Sequence, residues 1–261
     1  MSSSSFTEFS ADLERIRRLL RLVGGFRDFG ASTIPEQLIE DPSDWQEAVT
    51  LHGEASAVRT DLPIMAGAIL LYAVGRFEYF VRQCVEGTVD GLTAKANLFS
   101  DLPENLRRAC RDQTLMVAQS PRKYDFDEIR VDALLAQFVS CKQGGAPLVV
   151  SSEVVSITES NMRPEVLAEV LRRVGISDFW RTVGKQLPLQ VLLGETNDGS
   201  CSKAAQARLS DLMSLRNQIA HPTGTTSFPS LEDVGRELDL LEAVARVADD
   251  VAIMAVAGFS P

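Results

Sequence analysis

The stretch "LSDLMSLRNQIAHPTG", Leu209–Gly224, predicts the end of a helix and places two chemically active side chains there. At about 100° per residue, its aliphatic side chains share one face of the helix, and Arg216 falls in the middle of that face. Pro222 disfavours helical backbone at His221, so we expect the helix to end there. The imidazole is then predicted to project from the helix C-terminus, one turn beyond the arginine.

Two interpretations of Arg216 follow from this geometry. A guanidinium keeps its proton, so on an apolar face it needs a partner. It is either paired with a carboxylate inside the fold or held at a pocket or subunit interface to bind phosphate. Glu78 lies at the edge of the apolar stripe in "YAVGRFEYFVRQCVEG" and also needs a partner. We therefore hypothesise a Glu78–Arg216 ion pair.

His221 likewise has two interpretations. A histidine at a helix C-terminus interacts favourably with the helix dipole and is often only a cap. Imidazole also exchanges protons near neutral pH, which suits general acid–base catalysis. The residues alone leave both interpretations open.

Composition limits the classes of function. The chain has 261 residues, 45% hydrophobic content and a formal net charge of −10, which predicts one large domain with a substantial core. An acidic chain has no general attraction to nucleic acid, so any such site must be a local basic patch. The four cysteines are far apart and there are only two histidines, so the usual zinc patterns are absent and no metal or cofactor is predicted.

The N-terminus has acidic residues early and lacks the apolar segment of a signal peptide. The longest apolar run, "LPIMAGAILLYAVG", is shorter than the roughly 20 residues that span a bilayer. It favours a buried helix over a membrane segment. We expect a cytoplasmic protein with reduced cysteines.

Hydrophobic periodicity predicts a mainly α-helical chain. Residues 1–60 are expected to form an N-terminal helix and loop extension, and 61–261 the main helical domain. Residues 24–44 and "TNDGSCS" are predicted loops, and the Val/Ser-rich insertion at 142–160 is predicted as a short strand or extended arm. The other expected helices cover about 63–87, about 202–220, and a long final segment capped by Ser230 and Asp233.

Three stretches of the sequence resemble the HEPN superfamily of helical ribonucleases and toxins. Arg216, Asn217 and His221 match its signature, R-φ-x-x-x-H, at the end of a late helix. The stretch "ILLYAVGRFEYFVRQCV" resembles the early helix that carries a supporting acid, here Glu78. The stretch "SNMRPEVLAEVLRRVGI" resembles the segment before the motif helix in the RiboL-PSP-HEPN and related defence-associated branch. The resemblance covers roughly residues 63–258.

This resemblance implies an all-α, up-and-down helical bundle that forms a homodimer. The two Arg–His motifs would face each other across one RNA cleft. Cleavage would need no metal, because the ribose 2′-OH attacks the adjacent phosphate and leaves 2′,3′-cyclic phosphate and 5′-OH ends. Arg216 and His221 would be catalytic, with Asn217 and Glu78 in support. A toxin or phage-defence effector of this kind would work with an antitoxin or another defence-system partner protein.

Two other classes of protein stay open. One is a non-catalytic HEPN-like dimerisation or nucleotide-sensing module that acts through a partner protein. The other is a helical scaffold in which Arg216 and His221 are only structural. The acidic balance also departs from what a ribonuclease needs. Four basic residues are candidates to line a cleft, although ordinary solvated charges are the simpler interpretation: Arg76, Arg82, Lys203 and Arg208.

Overall fold

The computed structural model describes residues 2–34 and 46–261. These residues are all-α, as the sequence predicts, and no strand occurs among them. In chain order, the helices are α1 Ser4–Ala31, α2 Gln46–Ala57, α3 Leu62–Lys95, α4 Glu104–Gln119, α5 Glu128–Lys142, α6 Ser152–Ser156, α7 Pro164–Arg173, α8 Phe179–Gly184, α9 Leu187–Leu193, α10 Asp198–Ala220 and α11 Leu231–Gly258.

Helix α3 is the centre of the bundle and packs against both α1 and α11. Its Val74, Phe77 and Val81 are completely buried. The predicted end at Gly87 is wrong, because α3 continues for two further turns and buries Val89 and Leu92. A glycine inside a helix costs about 1 kcal/mol, and burial of two aliphatic side chains outweighs that amount.

By length and hydropathy α3 could cross a membrane, and no other helix in the described ranges meets both criteria. The buried residues of the same helix, from Ala66 to Leu92, belong to the main hydrophobic core. Contacts on two sides with α1 and α11 are the packing expected of a core helix.

Helix α1 joins this core through aromatic side chains. Phe9 stacks on Phe80 with ring centroids 5.1 Å apart, and Phe6 meets the same ring edge-on at 5.9 Å. The predicted loop at 24–44 is wrong for its first part, because α1 runs on to Ala31. Gly30 packs so closely on α2 that an added Cβ would lie 2.5 Å from the Ala55 carbonyl carbon. The rest of that prediction, 35–44, lies outside the described residues.

The insertion at 142–160 is a connector that is buried only at residues 154–157. Unpaired extended backbone leads into α6, and the strand alternative is not found in this described segment. Val155 enters the main core, whereas Val154 packs into a smaller cluster with Val117 and Phe126. The β-branched residues that suggest a strand are therefore used for burial on both sides of a single helical turn.

The chain on either side of the Arg216 stretch is fixed by helix caps. Helix α10 begins at Asp198, four residues before the predicted start, because the Asn197 side chain accepts the Ser200 N–H at 2.8 Å. The loop predicted for "TNDGSCS" is correspondingly shorter. The predicted capping box at the start of α11 is confirmed: Ser230 and Asp233 each accept the backbone N–H of the other.

Candidate functional site

The C-terminal end of α10 carries the predicted site residues. Helix α10 is anchored in the core by Leu209, Leu212 and Met213. It ends at Ala220, and His221 takes φ −127° and ψ 68°, outside the helical region. The His221 backbone N–H still donates to the Asn217 carbonyl at 3.1 Å, while its side chain is exposed. The predicted helix end and projecting histidine are confirmed.

A glycine on α3 lets this helix end sit close to the core. A Cβ at Gly67 would lie 2.7 Å from Cδ1 of Phe228 and 3.2 Å from Cγ2 of Ile219. Both neighbours flank the loop that follows His221. Within that loop, the Thr223 N–H donates to Thr226 Oγ1 at 2.7 Å. The backbone around the imidazole is thus held from two sides although the ring itself is exposed.

Arg216 is oriented by a neutral group. Its Nη1 donates to Asn217 Oδ1 at 3.2 Å, and the side chain is half-buried. No carboxylate oxygen of the described residues lies within 4.0 Å of this guanidinium. Asn217 Oδ1 also accepts a hydrogen bond from the Asn161 side-chain amide. Two donors therefore fix one amide oxygen, and the arginine keeps its full positive charge for another partner.

Glu78 is half-buried on α3 but does not pair with Arg216. Its Oε1 accepts the backbone N–H of Met162 at 3.3 Å. The hypothesised Glu78–Arg216 ion pair is wrong, because the segment before α7 supplies the donor instead. Residues 161 and 162 connect α10 to α3: Asn161 contacts α10, and Met162 contacts α3. Glu78 therefore binds the segment that also contacts α10.

Sequence reasoning missed Asn161 and Arg163. Arg163 reaches back to α10, with guanidinium nitrogens 3.4 Å from the hydroxyls of Ser210 and Ser214. It precedes Pro164, which starts α7 and fixes extended backbone at Arg163. The available signal in the sequence is that Asn161 and Arg163 are polar and stand directly before Pro164, the first residue of α7. Their partners on α10 lie about fifty residues further along the chain, and no periodicity reveals them.

Two of the four basic cleft candidates are structural. The Arg76 Nε lies 2.6 Å from Oδ2 of buried Asp12, and Arg208 pairs with Glu237 at 3.1 Å. Burial raises the pKa of Glu237 above its usual value, and the charge of Arg208 opposes that rise. Arg82 and Lys203 are exposed on α3 and α10.

An all-α bundle with Arg, Asn and His at the end of a late helix, and Glu78 on an early helix, is the arrangement that the resemblance to the HEPN superfamily implies. The family model described as RiboL-PSP-HEPN matches residues 45–253. The chain therefore belongs to the RiboL-PSP-HEPN family. Searches of the curated proteins and of the solved structures gave no significant match. Membership of this family indicates a ribonuclease or nucleotide-related function.

Proposed function

We propose that this protein is a homodimeric, metal-independent endoribonuclease that leaves 2′,3′-cyclic phosphate and 5′-OH ends. One observation carries the proposal: a guanidinium held by the neutral Asn217 amide stands one turn before an exposed imidazole. An arginine with a purely structural role is expected to have a carboxylate partner. Arg216 has an orienting partner but no neutralising one among the described residues.

The guanidinium suits the charge that develops on the phosphate. Arg216 donates hydrogen bonds to the non-bridging oxygens as the phosphorus becomes five-coordinate. The bond to Asn217 uses only Nη1, so the other N–H groups are available to the substrate. Asn217, fixed in turn by Asn161, keeps the fork in one orientation before the substrate arrives.

His221 moves the protons. One imidazole takes the proton of the ribose 2′-OH while O2′ bonds to phosphorus and the bond from phosphorus to O5′ breaks. The departing O5′ receives a proton from a second, protonated imidazole, His221 of the partner subunit. One proton is removed and one is delivered, so the cyclic phosphate and the 5′-OH form without water. A subunit has only one such histidine, which is why the proposal requires a dimer.

An exposed apolar face of α3 supports the dimer. Met65, Tyr72 and Tyr79 are spaced seven residues apart, and each is about half exposed together with Ile64. On the helix this face adjoins the one that carries Gly67 and Glu78. Seven-residue spacing of apolar side chains is typical of paired helices. A second copy seated here would bring its own α10 end towards the first.

The proposed biological role is a cytoplasmic toxin or phage-defence effector, held inactive by an antitoxin or another defence-system protein. It rests on the resemblance to the defence-associated branch of a superfamily of helical ribonucleases and toxins. Induction of the wild-type protein is then expected to stop growth, and induction of His221→Ala is not.

Sequencing of 5′-OH RNA ends after expression tests the chemistry. We expect Arg216→Ala to lower cleavage about 10²- to 10³-fold, the usual effect of losing a transition-state donor. Loss of the acid–base group in His221→Ala is expected to lower it about 10²- to 10⁴-fold. Gln218→Ala, exposed on the same turn, is the matched control and should cleave like wild type. If both site variants still arrest growth as fully as wild type, the non-catalytic module is favoured. Loss of cleavage in EDTA would contradict the metal-free mechanism.

Subunit mixing tests the shared cleft. If one imidazole acts as base and the partner's as acid, a mixed dimer with one His221→Ala subunit is inactive. Equal amounts of wild-type and variant subunits, exchanged at random, should then retain about one quarter of the activity. Half of the activity would show that each subunit works alone. Tyr72→Glu should abolish both dimerisation, measured by light scattering, and cleavage.

A further inference from the structure

A basic cleft of about 650 Å³ lies where the start of α4 meets the end of α5. Arg107, Arg108 and Arg111 enter it from α4, and Lys142 from the last turn of α5. Four cations in one cleft are unusual for a chain with a net charge of −10. None of the residues that line this cleft belongs to α3 or α10, so it is separate from the Arg216–His221 site.

The cations of the cleft differ in how they are paired. Arg108 contacts Glu104 at 3.0 Å and Arg111 contacts Asp112 at 2.9 Å, both in exposed pairs. Exposed pairs of this kind contribute little and exchange partners readily. In the described parts of the chain, no carboxylate oxygen lies within 4.0 Å of Arg107 or Lys142. Their charges are therefore available to an anion.

Arg107 gives the second indication of a ligand. Its Nε atom is buried and has no hydrogen-bond partner. Buried polar nitrogens are nearly always satisfied, and an orphan at the wall of a cleft calls for an explanation. Because this nitrogen is buried, an anion in the cleft would reach it only as the Arg107 side chain turns towards the opening. A guanidinium offers two parallel N–H groups to such an anion.

The cleft also has an apolar wall. Phe99 and Phe138 meet edge-on with centroids 5.9 Å apart, and Leu98 beside them is half exposed. Aromatic side chains next to cations are the combination that binds nucleotides, because bases stack on rings while phosphates contact arginine and lysine. Inorganic anions or acidic peptides would leave this wall unused.

The end of α5 adds a counteracting field, since helix C-termini carry partial negative charge. The last carbonyls of α5 are already used by backbone donors: Gln143 binds Val139 at 3.1 Å, and Gly145 binds Ser140 at 2.8 Å. Lys142 adds a full positive charge at the same position. The net field in the cleft thus favours an anion.

We propose that this cleft binds a phosphate-bearing nucleotide unit, with the phosphate on Arg107 and Lys142 and the base against half-buried Phe138 and half-exposed Leu98. The unit is part of a single-stranded RNA or a free nucleotide, which share this chemistry. The proposal does not depend on catalysis at His221. If the occupant is RNA, this cleft is the local basic patch that an acidic protein needs in order to bind RNA.

Binding is measured in His221→Ala protein, so that catalysis cannot affect the result. The probes are a short fluorescent single-stranded RNA and ATP. Arg107→Gln should weaken binding about tenfold, and Arg107→Gln with Lys142→Gln about a hundredfold, as expected for lost charge-assisted contacts. Arg18→Gln with Arg21→Gln removes the same charge from the exposed face of α1 and should leave binding unchanged.

The two probes distinguish the sources. If the cleft takes RNA, the double variant lowers RNA affinity, and the slope of log affinity against log salt falls by about 1 to 1.5. If it takes a free nucleotide, ATP binding is lost and RNA binding is not. Lys142 is exposed, so Lys142→Gln alone reports on binding even if Arg107 variants fold poorly. Unchanged binding of both probes in folded variants, or an equal loss in the α1 control, would overturn the proposal.

Discussion

Two arginines in this protein sit on helix faces that point inwards, and their surroundings are opposite. Arg76 on α3 is bound by two carboxylates of α1, Glu8 and buried Asp12. Arg216 on α10 is bound by the amide oxygen of Asn217. The first arrangement neutralises the guanidinium and joins two helices. The second arrangement orients the guanidinium and leaves its charge without a carboxylate partner.

The difference separates stability from function. A buried pair is expensive to break, because removing one partner leaves the other charge without compensation. An arginine on a neutral amide gives up little when it is removed, yet its charge is free to act on a phosphate. The α1–α3 contact is therefore expected to dominate folding, and the end of α10 to dominate activity. Four substitutions test this contrast, in order of decreasing effect on the free energy of unfolding.

Phe9→Ala should have the largest effect, about 3 to 5 kcal/mol, as for other buried aromatic truncations. Phe9 is completely enclosed between Phe77 and Phe80. Urea unfolding followed by circular dichroism measures the loss, and Phe9→Leu, which keeps most of the volume, is the milder control. A loss under 1 kcal/mol would mean that α1 is not integral to the core.

Arg76→Ala should cost about 2 to 4 kcal/mol, because Asp12 is buried and loses its charge partner. This cost is below the largest values for broken buried ion pairs, because Arg15 also contacts Asp12, at 2.7 Å. Arg82→Ala, exposed on the same helix, should change the free energy of unfolding by less than about 0.5 kcal/mol. Equal effects of the two substitutions would show that the Arg76 pairing is a surface contact only.

Local rules predict much of this architecture from the sequence. Pro222 ends α10 at His221, and the spacing of Ser230 and Asp233 gives the capping box, because both signals act within four residues. Where packing competes with propensity, the same rules fail. Gly24 and Gly87 indicate helix ends, yet α1 and α3 continue through them. The later turns of α3 bury Val89 and Leu92, and the last turn of α1 packs Gly30 against α2.

The partners inside the site are less predictable. The sequence predicts that Glu78 and Arg216 each need a partner, but it does not identify the partner of either. The actual partners are a backbone N–H 84 positions along the chain from Glu78, and an amide pair between Asn161 and Asn217. Complementary charge is visible in a sequence. A neutral amide or a backbone donor is not, because almost every segment contains one.

Asp233→Asn tests the cap that holds the loop after His221. We expect it to cost about 1 kcal/mol at neutral pH. The hydroxyl and the backbone N–H of Ser230 lower the pKa of Asp233 below its ordinary 3.8. A carboxyl group whose pKa is lowered by folding stabilises the fold at pH values above its ordinary pKa. This contribution is lost as the pH falls through the pKa of the folded state.

The difference between wild type and Asp233→Asn should therefore be constant near pH 7 and shrink below about pH 4. Urea unfolding across this pH range measures it. Asp250→Asn, exposed in the same helix, removes a carboxylate without a cap and should show no such convergence. A difference that grows in acid would reverse the sign and contradict the capping role.

Arg216→Ala should have the smallest effect on folding, below about 1 kcal/mol, because it removes one hydrogen bond to an amide that Asn161 still satisfies. Its effect on RNA cleavage should nevertheless be the largest of the four. Arg76→Ala, assayed at a temperature where it stays folded, should show the reverse ratio. If Arg216→Ala instead lowers the free energy of unfolding by several kcal/mol, the charge of Arg216 is neutralised by a contact within the fold. Arg216 is then a structural arginine like Arg76. The ratio of the two effects at each arginine, more than either effect alone, therefore decides between a catalytic site and a scaffold.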